Sequence, residues 1–393
     1  MKKKSILFVN DEMMIGGVSR ILNTLLGMLD QNKYDIDLLV LHSHGGLLEE
    51  IPEGIHVLRT SSFFDYVDIP FDELKKNKDI GGIWKKARFF IYMKTGLIKH
   101  MIKRERRKIL TKHYDVEFSA KEGFCTIFNA CGDSDLRLNW IQTDYEKENY
   151  ARHHTELFEW ALGKIDMNIA CSEGVKDAFS HIFKVNNNNI VVVHNPMDEE
   201  RIRKLAAENV GYAVDQNKMN LIAVARLHPQ KGLDRLIRAM EVLKNNSVKA
   251  DLCLIGDGIL LDDLRKQVDI AGLNEEVHFL GYQMNPYPYI KKSDLFVMTS
   301  VFEGYPTITI ESLISTTPVF TTEVSGVDEQ FRNEDEGIIV KNDQEHINTG
   351  LLQLAEDVSL LRKKKKKLEG YHYENDEILK KMTDLLEGKG IRS

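Results

Sequence analysis

Short apolar runs rich in β-branched residues alternate along this chain with longer amphipathic segments, and the alternation occurs twice. In the first half SILFVN, DIDLLVL, IHVLR, LRLNWIQ, DMNIACS and NIVVVHN predict strands, with helices around 18–30 and 174–182. In the second half MNLIAVAR, KADLCLIG, EVHFLG, DLFVMTS, TPVFTT and GIIV predict strands, with helices near 232–245, 260–271, 307–316 and 344–366. Strands separated by helices are the sign of parallel sheets covered on their faces. The expected fold class is α/β: two Rossmann-like, doubly wound parallel-sheet domains facing a cleft.

A length of 393 residues suits two such domains of roughly 150–200 residues each. The polar stretch that opens with HNP, carrying Pro196, separates them. This gives an N-terminal domain over 1–196, a linker over 197–217 and a second domain over 218–372. In sheets of this kind ligands bind beyond the carboxyl ends of the strands, so the loops after the strands are the places to search.

Composition narrows the field. A net charge of −7 argues against a general nucleic-acid binder. The four cysteines, at 125, 131, 171 and 253, form no CxxC pair, which disfavours structural zinc and a disulfide framework and fits a reducing cytosol. The apolar run of MKKKSILFVNDE stops at Val9, short of a signal-peptide core, and reads as a first strand. No run reaches the ~18–20 apolar residues that span a bilayer, so membrane contact is expected to be peripheral.

Four strand-to-helix loops carry the chemistry. NDEMMIGGVSR sets Gly16 and Gly17 where bare backbone approaches a ligand closely. VARLHPQKGLDRL sets Arg226 at a strand end and Lys231 five residues on, two cations flanking a helix start as a diphosphate requires. LIGDGILLDDL contributes Gly256 at a third turn. In EGYPTITIESL, Glu303 lies on the loop, Gly304 and Pro306 precede the helix, and Glu311 falls inside it. Two carboxylates so spaced accept hydrogen bonds from two different polyols, such as a sugar and a ribose.

With Arg226, Lys231, Glu303, Glu311 and the run EGYPTITIESLISTTPVF in place, the chain resembles the retaining GT-B glycosyltransferases of family four. The likeness continues through CSEGVKDAF, HNPMD, LGY and SGVDEQ. It implies that Arg226 and Lys231 neutralise the donor diphosphate as the leaving group departs. Glu303 and the backbone of Gly304, Tyr305, Pro306 and Thr307 would hold the sugar hydroxyls and the diphosphate. Glu311 would hold the ribose, Gly281 and Tyr282 would meet the base, and Gly16 and Gly17 would let the N-terminal domain close on the donor. Segment 373–393 would form a C-terminal helix that packs back on the N-terminal domain.

Family members commonly carry a strand-end histidine facing the sugar. NWIQTDY places Gln142 there, a residue that hydrogen-bonds but transfers no proton. Asp144 is the nearest alternative, and His153 and His154 lie too far downstream. Asp133-Ser134-Asp135 imitates a metal-binding DxD but reads as a loop. The family generally needs no metal or other cofactor.

From 83 to 113 the chain is basic and aromatic, with Lys85, Lys86, Arg88, Lys103, Arg104, Arg106 and Arg107 against the single acid Glu105. This predicts an anchor for anionic lipid headgroups or a lipid-linked acceptor. A second run, RKKKKK at 362–367, reads equally as the exposed face of a helix. The resulting expectation is a hexosyltransferase using a nucleotide diphosphate sugar, UDP favoured, and a lipid-linked or polymeric cell-envelope glycan such as capsule. It would sit in the cytoplasm, peripheral to the inner face of the plasma membrane, with no nucleic-acid partner. The alternatives are a nucleotide-sugar binder that has lost turnover, or another GT-B activity such as an epimerase.

Overall fold

The computed structural model describes residues 2–14, 16–42, 45–65, 67, 71–146 and 155–391. The chain divides into two compact units. The first is built from residues up to Cys171, Val175–Pro196 and the segment from Asp376 on; the second comprises Ser172–Gly174 and Met197–Asn375.

In the first unit β1 (Lys4–Asn10), β2 (Tyr34–Val40), β3 (His56–Leu58), β4 (Val116–Ser119), β5 (Leu136–Ile141), β6 (Met167–Ala170) and β7 (Ile190–Val192) form a seven-stranded sheet in the order β3-β2-β1-β4-β5-β6-β7. The pairings are parallel, with Phe8 level with Leu38 on one side and Phe118 on the other. Phe8, Phe118 and Trp140 pack across β1, β4 and β5 at centroid distances of 4.8 and 5.7 Å, the first pair tilted and the second edge to face. The segment from Asp376 adds helix Asn375–Leu386, with Met382 and Leu386 fully buried. Just beyond it, Tyr34 Oη donates to Glu387 Oε1 at 2.9 Å and Lys33 Nζ lies 3.1 Å from the same oxygen.

In the second unit β8 (Met219–Val224), β9 (Ala250–Ile255), β10 (Val277–Gly281), β11 (Leu295–Met298), β12 (Val319–Thr322) and β13 (Gly337–Val340) form a six-stranded parallel sheet in the order β10-β9-β8-β11-β12-β13. Its core is aliphatic. Leu221, Leu252, Leu254 and Val297 of the strands pack on Leu236, Ile237 and Met240 of helix Leu233–Asn245. The order places the topological switch point between β8 and β11, where such sheets bind ligands.

Both sheets are the doubly wound Rossmann-like layers expected, and several elements differ locally from the expectation. β4 was not anticipated from the sequence, because Glu117 interrupts its apolar run. The 344–366 helix is two helices, Gln344–Ala355 and Val358–Lys367, the second capped by Asp357, whose carboxylate accepts from Leu360 N. Residues 197–217 hold helix Glu199–Ala206, capped by Asp198. All four cysteines are buried and none is in a disulfide. Among the described residues, no helix is long and apolar enough to cross a membrane.

Candidate active site

The site is built at the switch point of the second unit, from the loops that leave β8 and β11. Lys231 Nζ lies 2.5 Å from Glu303 Oε1, an oxygen that also accepts from Ser300 Oγ at 2.7 Å. Both members of the pair are largely but not wholly covered. Arg226, at the end of β8, is exposed, and among the described residues its guanidinium has no ion-pair partner. One carboxylate thus neutralises Lys231, while the exposed Arg226 on the same β8 loop adds a positive charge available to an anionic ligand.

Backbone stitching fixes these loops. Val301 N donates to Gln230 O at 2.8 Å and Gln230 Nε2 donates to Phe302 O at 3.0 Å. Gly232 adopts φ 58° with its site of a Cβ overlapping Thr299 O, so only glycine lets the two loops meet there. Arg235 donates to Thr299 O and to Asn342 Oδ1. Asn342 Nδ2 in turn reaches Val301 O at 2.9 Å and Glu323 O at 3.0 Å. Arg235 and Asn342 were missed in the sequence because each acts through partners on other elements, from 19 to 107 positions away.

The loop after β9 joins the same edge. Gly256, at φ 140°, packs where a Cβ would overlap Ala225 O, and Leu227 N donates to Asp257 O at 2.9 Å. Gly281 closes β10, followed by the half-exposed Tyr282.

Helix Thr307–Ile314 begins where the sequence suggested and ends two residues earlier, with Pro306 at the flanking position and no side-chain cap on its first-turn N–H groups. Pro306 O is held by Gln330 Nε2 at 3.0 Å and by Thr309 Oγ1. The Tyr305 ring is buried and its hydroxyl faces that of Tyr373 at 3.2 Å, so this residue offers a ligand its backbone rather than its phenol. Burial and the neighbouring Tyr373 push the Tyr305 hydroxyl well above its ordinary pKa. Glu311 is buried, 3.4 Å from Thr307 Oγ1. The structure therefore sets Arg226, Lys231, Glu303, Thr307 and Glu311 on the segments that follow β8 and β11, along the carboxyl edge of the sheet.

In the first unit, Gly16 is extended, at φ 179°, with nothing within 4 Å of where a Cβ would stand. Gly17 opens helix Gly17–Met28. At the end of β5 the Gln142 amide forms a closed pair with Asn195: Gln142 Nε2 donates to Asn195 Oδ1 at 3.1 Å, and Asn195 Nδ2 donates back at 2.9 Å. Asn195 was not foreseen. Glu122 Oε2 accepts from Gln142 N, and burial pushes that carboxyl up from its usual range. Asp144 is buried and accepts from Glu146 N. His153 and His154 lie outside the described residues.

The basic segment divides. Lys85, Arg88, Lys103, Arg104 and Arg107 are exposed, and Lys86 is half-buried with Nζ 3.3 Å from Val67 O. Arg106, expected among the surface cations, is instead buried: it pairs with Glu117 at 2.6 Å and donates to Phe128 O at 3.0 Å, which withdraws it from any lipid surface. The RKKKKK run is anchored to its own unit. Arg362 bonds Asp294 at 3.0 Å, Lys364 donates to Glu334 O, and Lys367 bonds Asp335 at 2.7 Å.

Two doubly wound units, the second with a cationic edge at its switch point, define the GT-B class of fold. The family model described as "Glycosyltransferase Family 4" matches residues 15–201, and the one described as "Glycosyl transferases group 1" matches 206–374. The chain belongs to the GT-B glycosyltransferases of family 4. It is 27% identical over 361 residues to a Campylobacter jejuni enzyme, N-acetylgalactosamine-N,N'-diacetylbacillosaminyl-diphospho-undecaprenol 4-alpha-N-acetylgalactosaminyltransferase, with 90% of each chain covered. It is 27% identical over 177 residues to the Escherichia coli UDP-Gal:alpha-D-GlcNAc-diphosphoundecaprenol alpha-1,3-galactosyltransferase, covering 43% of this chain and 46% of that one. Among solved structures, Anabaena HepE in complex with UDP superposes with a TM-score of 0.70 at 16% identity, covering 98% of this chain and 100% of that chain, a likeness of fold.

Proposed function

We propose that this chain is a retaining, metal-independent hexosyltransferase that moves a hexose from a UDP-sugar to a lipid-linked or polymeric cell-envelope glycan at the inner face of the plasma membrane. The observation that carries the reading is the Lys231–Glu303 pair at the switch point, on the β8 loop that also carries the exposed Arg226. Arg226 and Lys231 supply the positive charge that a departing diphosphate needs, the role a divalent cation plays elsewhere. The uncapped N–H groups of helix Thr307–Ile314 add donors for phosphate oxygens. Glu303 then takes sugar hydroxyls and Glu311 the ribose, with Tyr282 beside the base. The substrates in the relatives' names, a UDP-sugar and diphosphoundecaprenol-linked glycans, support the same reading.

A second reading rests on Gln142, whose amide is paired with Asn195 and transfers no proton. It is a nucleotide-sugar binder without turnover. A thermal-shift and donor-hydrolysis screen against UDP-, GDP-, ADP- and dTDP-sugars separates the two. A UDP-hexose that stabilises the fold and is slowly hydrolysed supports the transferase. Stabilisation with no turnover, lipid acceptors supplied, selects the binder, and no stabilisation by any nucleotide overturns both.

A further inference from the structure

Helix Ile80–Thr95 and helix Ile98–Ile109, joined through Gly96 at φ 73°, form a hairpin in the first unit. Between them and the loop at 61–63 lies a cavity of about 310 Å³. Lys85, Arg88, Arg104 and Lys108 line it, with Phe89 and Tyr92 on its wall. Phe89 is the fixed part of that wall, buried and in ring contact with Phe63 and Phe124 at 5.8 Å each. The cavity's carboxylate, Glu105, is already engaged by Lys108 at 2.6 Å and Ser61 Oγ at 2.7 Å. Arg88 and Arg104 have no ion-pair partner among the described residues. With four cations against one carboxylate, the cavity therefore holds an excess of positive charge that includes two guanidinium groups, the group best matched to phosphate oxygens.

The same hairpin exposes apolar side chains. Ile80, Trp84 and Ile91 are 70%, 74% and 58% exposed, and Phe90 and Leu97 are 42% and 51% exposed. Ile80, Trp84 and Ile91 fall at helical spacing on one stripe. A polar anion needs the cations and not the stripe; a buried protein interface needs the stripe and not four cations. An amphiphile with a phosphorylated head needs both.

We propose that this cavity binds the phosphate or diphosphate head of a long-chain lipid, with the exposed stripe entering the surrounding bilayer. The site would hold the carrier end of a lipid-linked acceptor, and in that respect it rests on the function proposed above.

The test is sedimentation of the full-length protein with three sets of phosphatidylcholine vesicles: undoped, doped with polyprenyl diphosphate, or doped with phosphatidylglycerol to equal charge. Calorimetric binding of UDP is measured on the same samples. The diphosphate vesicles are expected to bind most tightly. Arg88→Ala with Arg104→Ala lowers that binding roughly tenfold or more, by the scale of about 1 kcal/mol per surface cation. The control pair Lys103→Ala with Arg107→Ala, exposed but outside the cavity, lowers it less. Equal binding to phosphatidylglycerol with equal effects of both pairs reduces the site to a general basic surface and overturns the proposal. So does binding of soluble inorganic diphosphate without vesicle binding, or displacement by a single-stranded RNA oligomer. Absent vesicle binding with intact UDP binding sinks this site alone; absent UDP binding sinks the donor reading instead.

Discussion

Arg106 Nη2 stands 2.6 Å from Glu117 Oε1, with its guanidinium 4.4 Å from the Phe128 ring centroid and both side chains almost fully buried. The pair ties helix Ile98–Ile109 to the centre of the first sheet. Burial pushes the Glu117 carboxyl up from its usual range against the pull of Arg106. Removing only the cation leaves an uncompensated buried acid. Arg106→Met is expected to cost ~3–5 kcal/mol in urea unfolding, and the double variant Arg106→Met with Glu117→Leu to recover much of that loss. A single variant as stable as the parent would refute the buried-pair account.

Lys231 and Glu303 neutralise each other in the absence of a ligand. Glu303→Gln removes a negative charge beside the proposed diphosphate site but also the acceptor for sugar hydroxyls. UDP affinity should hold or rise while transfer from UDP-hexose falls. Lys231→Ala should lower kcat by ~100-fold or more, the scale of losing one charged stabiliser of the leaving group. Calorimetry and steady-state kinetics on both variants check the split.

Much of this arrangement was legible along the chain. The six strands of the second sheet announce themselves as β-branched runs, and Arg226, Lys231, Glu303 and Glu311 stand at fixed offsets from their ends. What escaped was non-local. The strand VEFS hides behind Glu117, an acid tolerated in the core because Arg106 reaches it from another element. Asn195 gains its meaning from Gln142, fifty-three positions earlier. Asn342 gains its meaning from the carbonyls at Val301 and Glu323. Pattern reading finds residues that act by their own position and misses those that act through a distant partner.

Glu311→Ala tests the ribose assignment. A buried carboxylate hydrogen-bonding a hydroxyl contributes roughly 1.5–3 kcal/mol, so UDP affinity should fall by ~10–100-fold. The variant should also lose discrimination between UDP and its deoxyribose counterpart. Undiminished preference for the ribonucleotide would move the ribose elsewhere.

Gly16 and Gly256 separate ligand approach from fold. Gly256→Ala forces a Cβ into Ala225 O at a left-handed backbone angle and is expected to lower Tm. Gly16→Ala meets open space at an extended angle, so Tm should hold. Any loss of transfer in Gly16→Ala then reports ligand approach, and unchanged kinetics would remove Gly16 from the donor site.

Glu387 gives the C-terminal segment a pH dependence. Burial pushes its carboxyl up, but the Tyr34 hydroxyl and the Lys33 ammonium, aided by Lys4, outweigh burial and hold it below its ordinary value of 4.5. Its contribution is present above that ordinary value and is lost as pH falls through the lowered folded one. Hydrogen-exchange protection in helix Asn375–Leu386, corrected for the intrinsic pH dependence of exchange, should fall on acidification below that ordinary value. Glu387→Gln should flatten the response.

The four buried thiols divide between the units: Cys253 sits in β9 of the second, while Cys125, Cys131 and Cys171 lie in the first. Native chain should therefore be nearly silent to a thiol-alkylating reagent, and each alkylated position becomes a time-stamped record of which half opened. Pulse alkylation followed by peptide mass mapping, with and without UDP, would show ligand protection at Cys253 separately from the rest, with no engineered probe.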